Sequence, residues 1–384
     1  MRFSVDAHAI GRNLTGNEVY VRNLLKGFAA LDQTSDFIAY VSETGSEAYV
    51  PQRFQCRRVA GNPFVRLGVD LPRLLREDRP DLIHVQYTAP LNCPVPVVVS
   101  VHDVSFLEHP EYFPHTRALQ LRYTVKRTVQ RAARILCPSE FSAQAVRKAY
   151  GLDESNVTVV HNGVSSQFRP ISREHAQASL RARLGIPCPY VLMVGDLQPR
   201  KNQTGLMEAF EQLIRQHPSL PHHLVLAGQD SWYAARVKQR AAKSAIASRI
   251  RFTGFVTDDQ LLELYGGCDA FVFPSFYEGF GIPILEAMAC GRAVACSNTT
   301  AAVEVADGAA LVFDPTSTAE MTRALRDLLL DTELRTRMER LGTQRANAFQ
   351  WNDAAAKTLD IYHAVAELKQ SAAKIRPGAV VARR

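Results

Sequence analysis

No run in the 384 residues approaches the roughly 20 consecutive apolar residues that a membrane-spanning helix needs. The first ten residues, MRFSVDAHAI, also lack the basic-then-apolar order of an export leader and read as an opening strand. A cytoplasmic setting is therefore the expectation. Cysteine is sparse: seven residues, an odd number, with no Cys-x-x-Cys pair. Most lie in or beside apolar runs such as RILCPS and AVACS, so buried free thiols are expected, with neither disulfides nor a zinc site. There is no Asp-x-Asp pair, and hence no expected divalent metal. The phosphate loop Gly-x4-Gly-Lys and the dinucleotide fingerprint Gly-x-Gly-x-x-Gly are missing, which disfavours ATP hydrolysis and nicotinamide chemistry. No Gly-x-Ser-x-Gly elbow is present either. Internal repeats and low-complexity tracts are absent.

What is there belongs to a globular protein: 46% hydrophobic and 22% charged residues, in a length that suits two domains. The net charge is +7, but Lys369, Lys374, Arg376, Arg383 and Arg384 follow Glu367 with no acid among them. Subtracting these five from seven leaves +2 for the rest of the chain. Such a tail is weak support for nucleic acid, and none is expected as a partner. An anionic membrane surface fits at least as well, and a frayed terminus without a role is the bland alternative.

Short β-branched runs alternate with helical patterns. The runs are 3–7, 37–41, 82–86, 96–101, 135–139 and 157–161, then 190–195, 223–228, 249–254, 270–275, 293–297 and 310–314. Continuous apolar strands of this kind suit parallel sheets covered on both faces. Their alternation with helices predicts an α/β, doubly wound architecture. The alternation breaks once, near 165–188, where Pro170, Pro187 and Pro189 flank a polar helix. The expected layout is an N-terminal Rossmann-like domain over 1–168, a linker over 169–188 and a C-terminal Rossmann-like domain over 189–355. A helix over 356–376 crosses back and a basic tail, 377–384, ends the chain. Ligands of open α/β sheets bind beyond the carboxyl ends of the strands, so residues just after each strand are the first site candidates.

The segment PSFYEGFGIPILEAMACG (274–291) is the most specific of these. It follows an apolar run, turns through Gly279 and Gly281, and enters a helix near Pro283. Glycines at such a turn let backbone amides face a ligand, and the first amides of a helix favour anions. Glu278 stands in the turn, and Glu286 is expected near the end of the first helical turn. A pair of carboxylates placed so can accept hydrogen bonds from sugar hydroxyls. The alternative is acids that merely favour a helix start, but Glu286 lies among Ile284, Leu285, Ala287 and Met288, where an idle acid is costly. A second candidate is VGDLQPRKN (194–202), where a strand ends at Gly195 and Arg200 and Lys201 stand at the mouth of a helix. Two cations there suit a diphosphate; an ordinary basic turn is the alternative. In SVHDVSF (100–106), His102 follows an apolar strand and should project into the cleft. In LTGNEVYVRNLL (14–25), Gly16 is expected at a strand-to-helix turn, with Glu18 opening the helix or meeting an acceptor hydroxyl.

These segments together resemble the retaining glycosyltransferases of family 4, which have the GT-B fold of two Rossmann-like domains facing across a cleft. The likeness rests on two glutamates with seven residues between them, Glu278 and Glu286, and on the order of the other pieces over most of 1–365. It implies that Glu278 contacts the donor sugar and Glu286 the ribose. The amides of Phe280, Gly281 and Ile282 would contact the sugar and diphosphate, with Gly195, Arg200 and Lys201 in the phosphate loop. His102 would lie near the sugar's C6 hydroxyl, with Asp103 orienting its ring or capping the next segment. Gly16 would approach the diphosphate, and Phe255 and Val256 would read the base through their backbone. Asp196 departs from the family, many of whose members carry arginine there; Arg200 would substitute. Trp351 would anchor a closing helix.

The implied reaction is transfer of a hexose, with retention and without a metal or other cofactor, from a nucleotide-sugar to a glycan or lipid-linked glycan. The PRKN and His-Asp-x-Ser-Phe segments resemble bacterial members that use GDP-mannose; a UDP-hexose such as UDP-glucose stays open. The cationic stretch 117–134 and the tail would allow peripheral contact with the inner face of a membrane. A nucleotide-sugar hydrolase or epimerase and a catalytically silent sugar-nucleotide binder are the competing classes. The first would need a water-activating group; the second would bind donor without turnover.

Overall fold

The computed structural model describes residues 1–12 and 15–374. Among these, the strands form two wholly parallel sheets. The first contains β1 (Arg2–Asp6), β2 (Asp36–Val41), β3 (Gln55–Arg58), β4 (Leu82–Gln86), β5 (Val97–Ser100), β6 (Arg134–Cys137) and β7 (Val157–Val159), in the order β3-β2-β1-β4-β5-β6-β7. The second contains β8 (Tyr190–Val194), β9 (His223–Ala227), β10 (Ile250–Gly254), β11 (Ala270–Phe273), β12 (Val294–Ser297) and β13 (Leu311–Phe313), in the order β10-β9-β8-β11-β12-β13. In each sheet the order reverses once, between β1 and β4 and between β8 and β11. A crevice opens at such a reversal, beyond the carboxyl ends of the strands.

The apolar runs behave as continuous buried strands should: every residue of β4, β5, β11 and β12 is buried. Helices cover both faces of each sheet, giving four apolar clusters, two per sheet. β3 has no counterpart in the sequence reading. Its residues, QCRR, are polar and half-exposed at the sheet edge, where burial does not demand an apolar run.

The polar helix read within 169–188 is Arg173–Leu184. It lies against the second sheet's helix Asp258–Gly267, through Ser179 to Glu263 at 2.8 Å and Gln177 to the Gly267 carbonyl at 2.8 Å. The long last helix begins at Trp351 and runs Trp351–Lys374. It packs on the first lobe's helix Thr15–Leu31, where a Cβ on Gly27 would overlap Ala355. Trp351 is buried against Tyr20. The chain therefore crosses between the lobes twice, and the crossings touch where Val164 bridges Gln350. The basic tail over 377–384 lies outside the described residues. No helix among them is long and apolar enough to cross a membrane.

Candidate active site

The two segments expected to hold a diphosphate and a sugar meet at the reversal of the second sheet, one after β8 and the other after β11. A single 3-10 turn, Pro199–Lys201, presents Arg200 and Lys201. The Arg200 carbonyl accepts from the Phe276 amide at 2.8 Å, tying the two loops together. Glu278 reaches both cations: Arg200 Nη1 donates to its Oε2 at 2.8 Å and Lys201 Nζ to its Oε1 at 2.6 Å. Arg200 also donates to the Tyr277 carbonyl at 3.1 Å, and Lys201 lies 5.1 Å from the centre of the Phe273 ring.

Glu278 and Lys201 are buried. Burial by itself would raise the Glu278 pKa, but the adjacent Arg200 and Lys201 charges hold it down at about 2. Burial and the neighbouring guanidinium depress the Lys201 pKa, with Glu278 opposing them. Burial likewise works against the Arg200 charge, yet Glu278 and Asp103 raise its pKa overall. Asp196 is pushed up by burial despite the nearby Lys201. Its Oδ1 has no hydrogen-bond partner among the described residues.

Gly281 adopts φ 108° and precedes the helix Ile282–Ala289; a side chain there would be strained. The turn delivers the helix start after the carboxyl end of β11. Glu286 is the fifth residue of this helix, so it opens the second turn and does not close the first. It is buried, and its Oε2 accepts from the Tyr265 hydroxyl at 2.8 Å. Burial raises its pKa to about 7, against the pull of that hydrogen bond. Tyr265, from the helix Asp258–Gly267, was not anticipated. Only the packing of two helices brings it to a residue 21 positions away.

The first lobe supplies a neutral network. His102 Nε2 bonds the Gln86 Oε1 at 2.8 Å, and its ring meets Tyr20 edge-on at 4.7 Å. Behind it, Ser100 Oγ joins Tyr20 at 2.6 Å and His84 at 2.8 Å, and His84 reaches the Tyr362 hydroxyl at 2.6 Å. Burial lowers the His102 pKa to about 4 and that of His84 to about 3. Asp103 caps the next segment, accepting from the Ser105 amide at 2.9 Å and hydroxyl at 2.6 Å. The lobes touch here: a Cβ on Gly279 would overlap the His102 carbonyl oxygen.

The outlying candidates are more dispersed. Gly16 is not in a strand-to-helix turn; it lies exposed as the second residue of the helix Thr15–Leu31. Glu18 is buried and accepts from the Gly11 amide at 3.1 Å, so it ties down the loop ahead of its helix. Phe255 is exposed just after β10, and the half-buried Val256 packs on the second lobe's core. Thr257 then caps the helix Asp258–Gly267 in a reciprocal box with Gln260.

Comparison with known proteins agrees with this architecture. Residues 14–168 match the model of Glycosyltransferase Family 4, and residues 178–345 that of Glycosyl transferases group 1. O-antigen chain mannosyltransferase B of Escherichia coli is 32% identical over 265 residues, 69% of each chain. Serotype-specific mannosyltransferase WbdA of Escherichia coli is 29% identical over 298 residues, 72% of this chain but only 36% of that longer one. The crystal structure of HepE from Anabaena, in complex with UDP and glucose, superimposes with a TM-score of 0.74 over 95% of this chain and 100% of that one. At 19% identity that likeness concerns the fold alone. With its two facing parallel-sheet lobes and these matches, the chain belongs to glycosyltransferase family 4, has the GT-B fold, and is a glycosyltransferase.

Proposed function

We propose that the chain is a retaining hexosyltransferase that takes mannose from GDP-mannose, without a metal ion, and adds it to a glycan or a lipid-linked glycan. The observation that carries this reading is the Arg200–Lys201–Glu278 cluster at the sheet reversal, beside the start of the helix Ile282–Ala289. Glu278 uses one hydrogen of each cation, and Tyr277 and Gln198 take two more from Arg200; the guanidinium Nη2 and the other ammonium hydrogens are available to a diphosphate. The charge on that diphosphate grows as it leaves the anomeric carbon. Cations and helix amides fixed in place before the reaction stabilise that growth most.

In this reading Glu278 aligns the sugar, His102 meets it from the opposite lobe, and Glu286 accepts from the ribose hydroxyls. A buried carboxylate with a single donor, Tyr265, has lone pairs left for such hydroxyls. Phe255 and Val256 lie where the base would be held by backbone groups, and Gly195 lines the diphosphate. The acceptor hydroxyl attacks on the face the diphosphate leaves, and a donor phosphate oxygen takes its proton. Mannose and GDP are preferred because both Escherichia coli relatives are mannosyltransferases. A UDP-hexose is the second choice, on the HepE complex with UDP and glucose. The helix His115–Val129 has no acid and exposes Leu119 and Tyr123 beside Arg122, which supports a peripheral contact with an anionic membrane during work on a lipid-linked acceptor.

A melting panel of GDP- and UDP-sugars tests the donor. GDP-mannose at 100 times its dissociation constant should add about 2.7 kcal/mol of stability. Product analysis should then show an α-linked sugar, formed equally well in excess chelator. Stabilisation by UDP-sugars alone would reassign the donor, an inverted product would remove retention, and loss of turnover with chelator would overturn the metal-free mechanism.

A further inference from the structure

We infer that Glu304, Ser139 and Ser142 form a latch between the lobes that positions the Glu278 turn against His102, without taking part in donor binding. The inference rests on the transfer reading above and adds positioning residues to it.

The helix Glu140–Tyr150 belongs to the first lobe and starts directly after β6. The first amides of any helix lack partners within the helix. One is met locally: Ser139 Oγ accepts from the Ser142 amide at 3.0 Å. Two more are met by the other lobe. Glu304, from the helix Ala301–Ala306 after β12, accepts from the Glu140 amide at 2.9 Å and the Phe141 amide at 3.1 Å, one on each carboxylate oxygen. His161 Nε2 stands 3.2 Å from the same carboxylate. Burial works against the Glu304 charge, but His161 and the two amides hold its pKa below the usual value. A carboxylate on a helix start is a favourable pairing, and here it joins two domains.

The serines face the catalytic turn itself. Ser139 Oγ donates to the Gly279 carbonyl at 2.7 Å. Ser142 Oγ lies 3.0 Å from that carbonyl and 2.9 Å from the carbonyl of His102, sharing its single hydrogen between them. One hydroxyl thus links the backbones that carry Glu278 and His102. Both serines are buried, so no water replaces these bonds cheaply. Glu278 is also held from behind by the Glu304 helix. Its amide donates to Thr300 Oγ1 at 3.1 Å, and its carbonyl accepts from the Ala301 amide at 3.4 Å. Arg345 fixes the far end of that short helix through the Glu304 and Val305 carbonyls at 2.8 and 2.9 Å. Docking of Glu304 on the first lobe and placement of the Glu278 peptide are therefore one rigid linkage.

Kinetics and amide exchange on the whole chain test this. Glu304→Ala and Ser142→Ala should each lower kcat about tenfold, as small misplacements of reacting groups do. KM for GDP-mannose should stay within about twofold, because the latch bonds backbone carbonyls and none of the side chains that hold the donor. Glu304→Gln keeps the length and one acceptor oxygen and should recover part of the loss. Exchange at the Glu140 and Phe141 amides should quicken about tenfold in Glu304→Ala, a readout that does not depend on turnover or on the sugar being mannose. Unchanged exchange at those amides would overturn the latch. Faster exchange with unaltered kcat would overturn its positioning role, as would a rise in KM that accounts for the whole loss.

Discussion

Across the cleft, the turns after β8 and β11 gather two cations around Glu278, whereas the turn after β5 gathers hydroxyls, an amide and two histidines that stay neutral above about pH 4. On the transfer reading proposed above, the difference follows from what each wall meets. A diphosphate is a concentrated anion whose charge increases during transfer, so fixed cations repay their own burial there. A sugar ring offers only hydroxyls. For these, a neutral imidazole whose Nε2–H is held by Gln86 leaves Nδ1 to accept from a hydroxyl and gives direction without an unpaired charge. The charged wall is therefore the one where a single deletion should do most harm.

Glu278→Gln and Lys201→Ala are each expected to lower kcat by about 100- to 1,000-fold, on the order of 2.7–4 kcal/mol. His102→Asn, which removes no charge, should cost less. Steady-state rates at saturating donor decide the order. A larger loss from His102 than from either charged residue would invert the comparison, and near-normal rates for Glu278→Gln or Lys201→Ala would misplace the site.

Acidity should separate the lobes next. Glu286, in the second lobe, has its pKa raised to about 7 by burial, from 4.5. Between these values the unfolded chain releases a proton that the folded one keeps, so folding stability falls as pH rises from 4.5 to 7. The histidines of the first lobe act in the opposite direction. Their pKa values of about 4 for His102 and 3 for His84, lowered from 6.5, mean that the unfolded chain binds protons first as pH falls. Stability is then lost between pH 6.5 and about 4. Glu278, depressed from 4.5 to about 2, adds to the acid loss only below pH 4.5. Each limb driven by Glu286 or His102 is on the order of 3 kcal/mol. The two windows overlap between pH 4.5 and 6.5 and act there in opposite directions, so denaturant melts from pH 4.5 to 8 should show Glu286→Gln steepening the rise of stability with pH and His102→Asn flattening it. Both variants changing the slope in the same direction, or neither changing it, would remove the contrast.

This division also explains what could be read from sequence. The placement of Arg200, Lys201, Glu278 and His102 just after apolar strands was legible because the strands announce themselves. Partnerships between distant residues were not. The bonds of Glu278 to Arg200 and Lys201 span 78 and 77 positions, and that of His84 to Tyr362 spans 278. No local pattern encodes such distances, and only the sheet order brings them together. The Glu286–Tyr265 pair was hidden in the same way. β3 escaped because an edge strand of QCRR carries no apolar signal. Gly16 was misplaced because a glycine before a helical pattern reads as a turn, whereas it sits inside the first helical turn. The sequence also could not show that Glu18 accepts from the Gly11 amide.

The weakest expected effect lies at the rim, where the lobes also meet through an ion pair. Arg22 Nη2, from the helix Thr15–Leu31, stands 3.5 Å from Asp258 Oδ2 at the start of the helix that carries Tyr265. Unlike the Glu304 contact, this one is wet: the Asp258 side chain is 48% exposed. Arg22 has other anchors, with Glu18 at 3.8 Å and the Tyr49 ring at 4.3 Å, so losing Asp258 leaves it held. An exposed pair of this kind contributes roughly 0.2–1 kcal/mol and is screened by salt. Asp258→Asn keeps the shape at the helix start while removing the charge. It should change kcat less than about threefold at low salt and have no measurable effect near 0.5 M, where the Debye length is shorter than about 5 Å. A loss as large as that of Glu304→Ala, or one that persists in high salt, would show that the rim and the buried latch share the work of aligning the lobes.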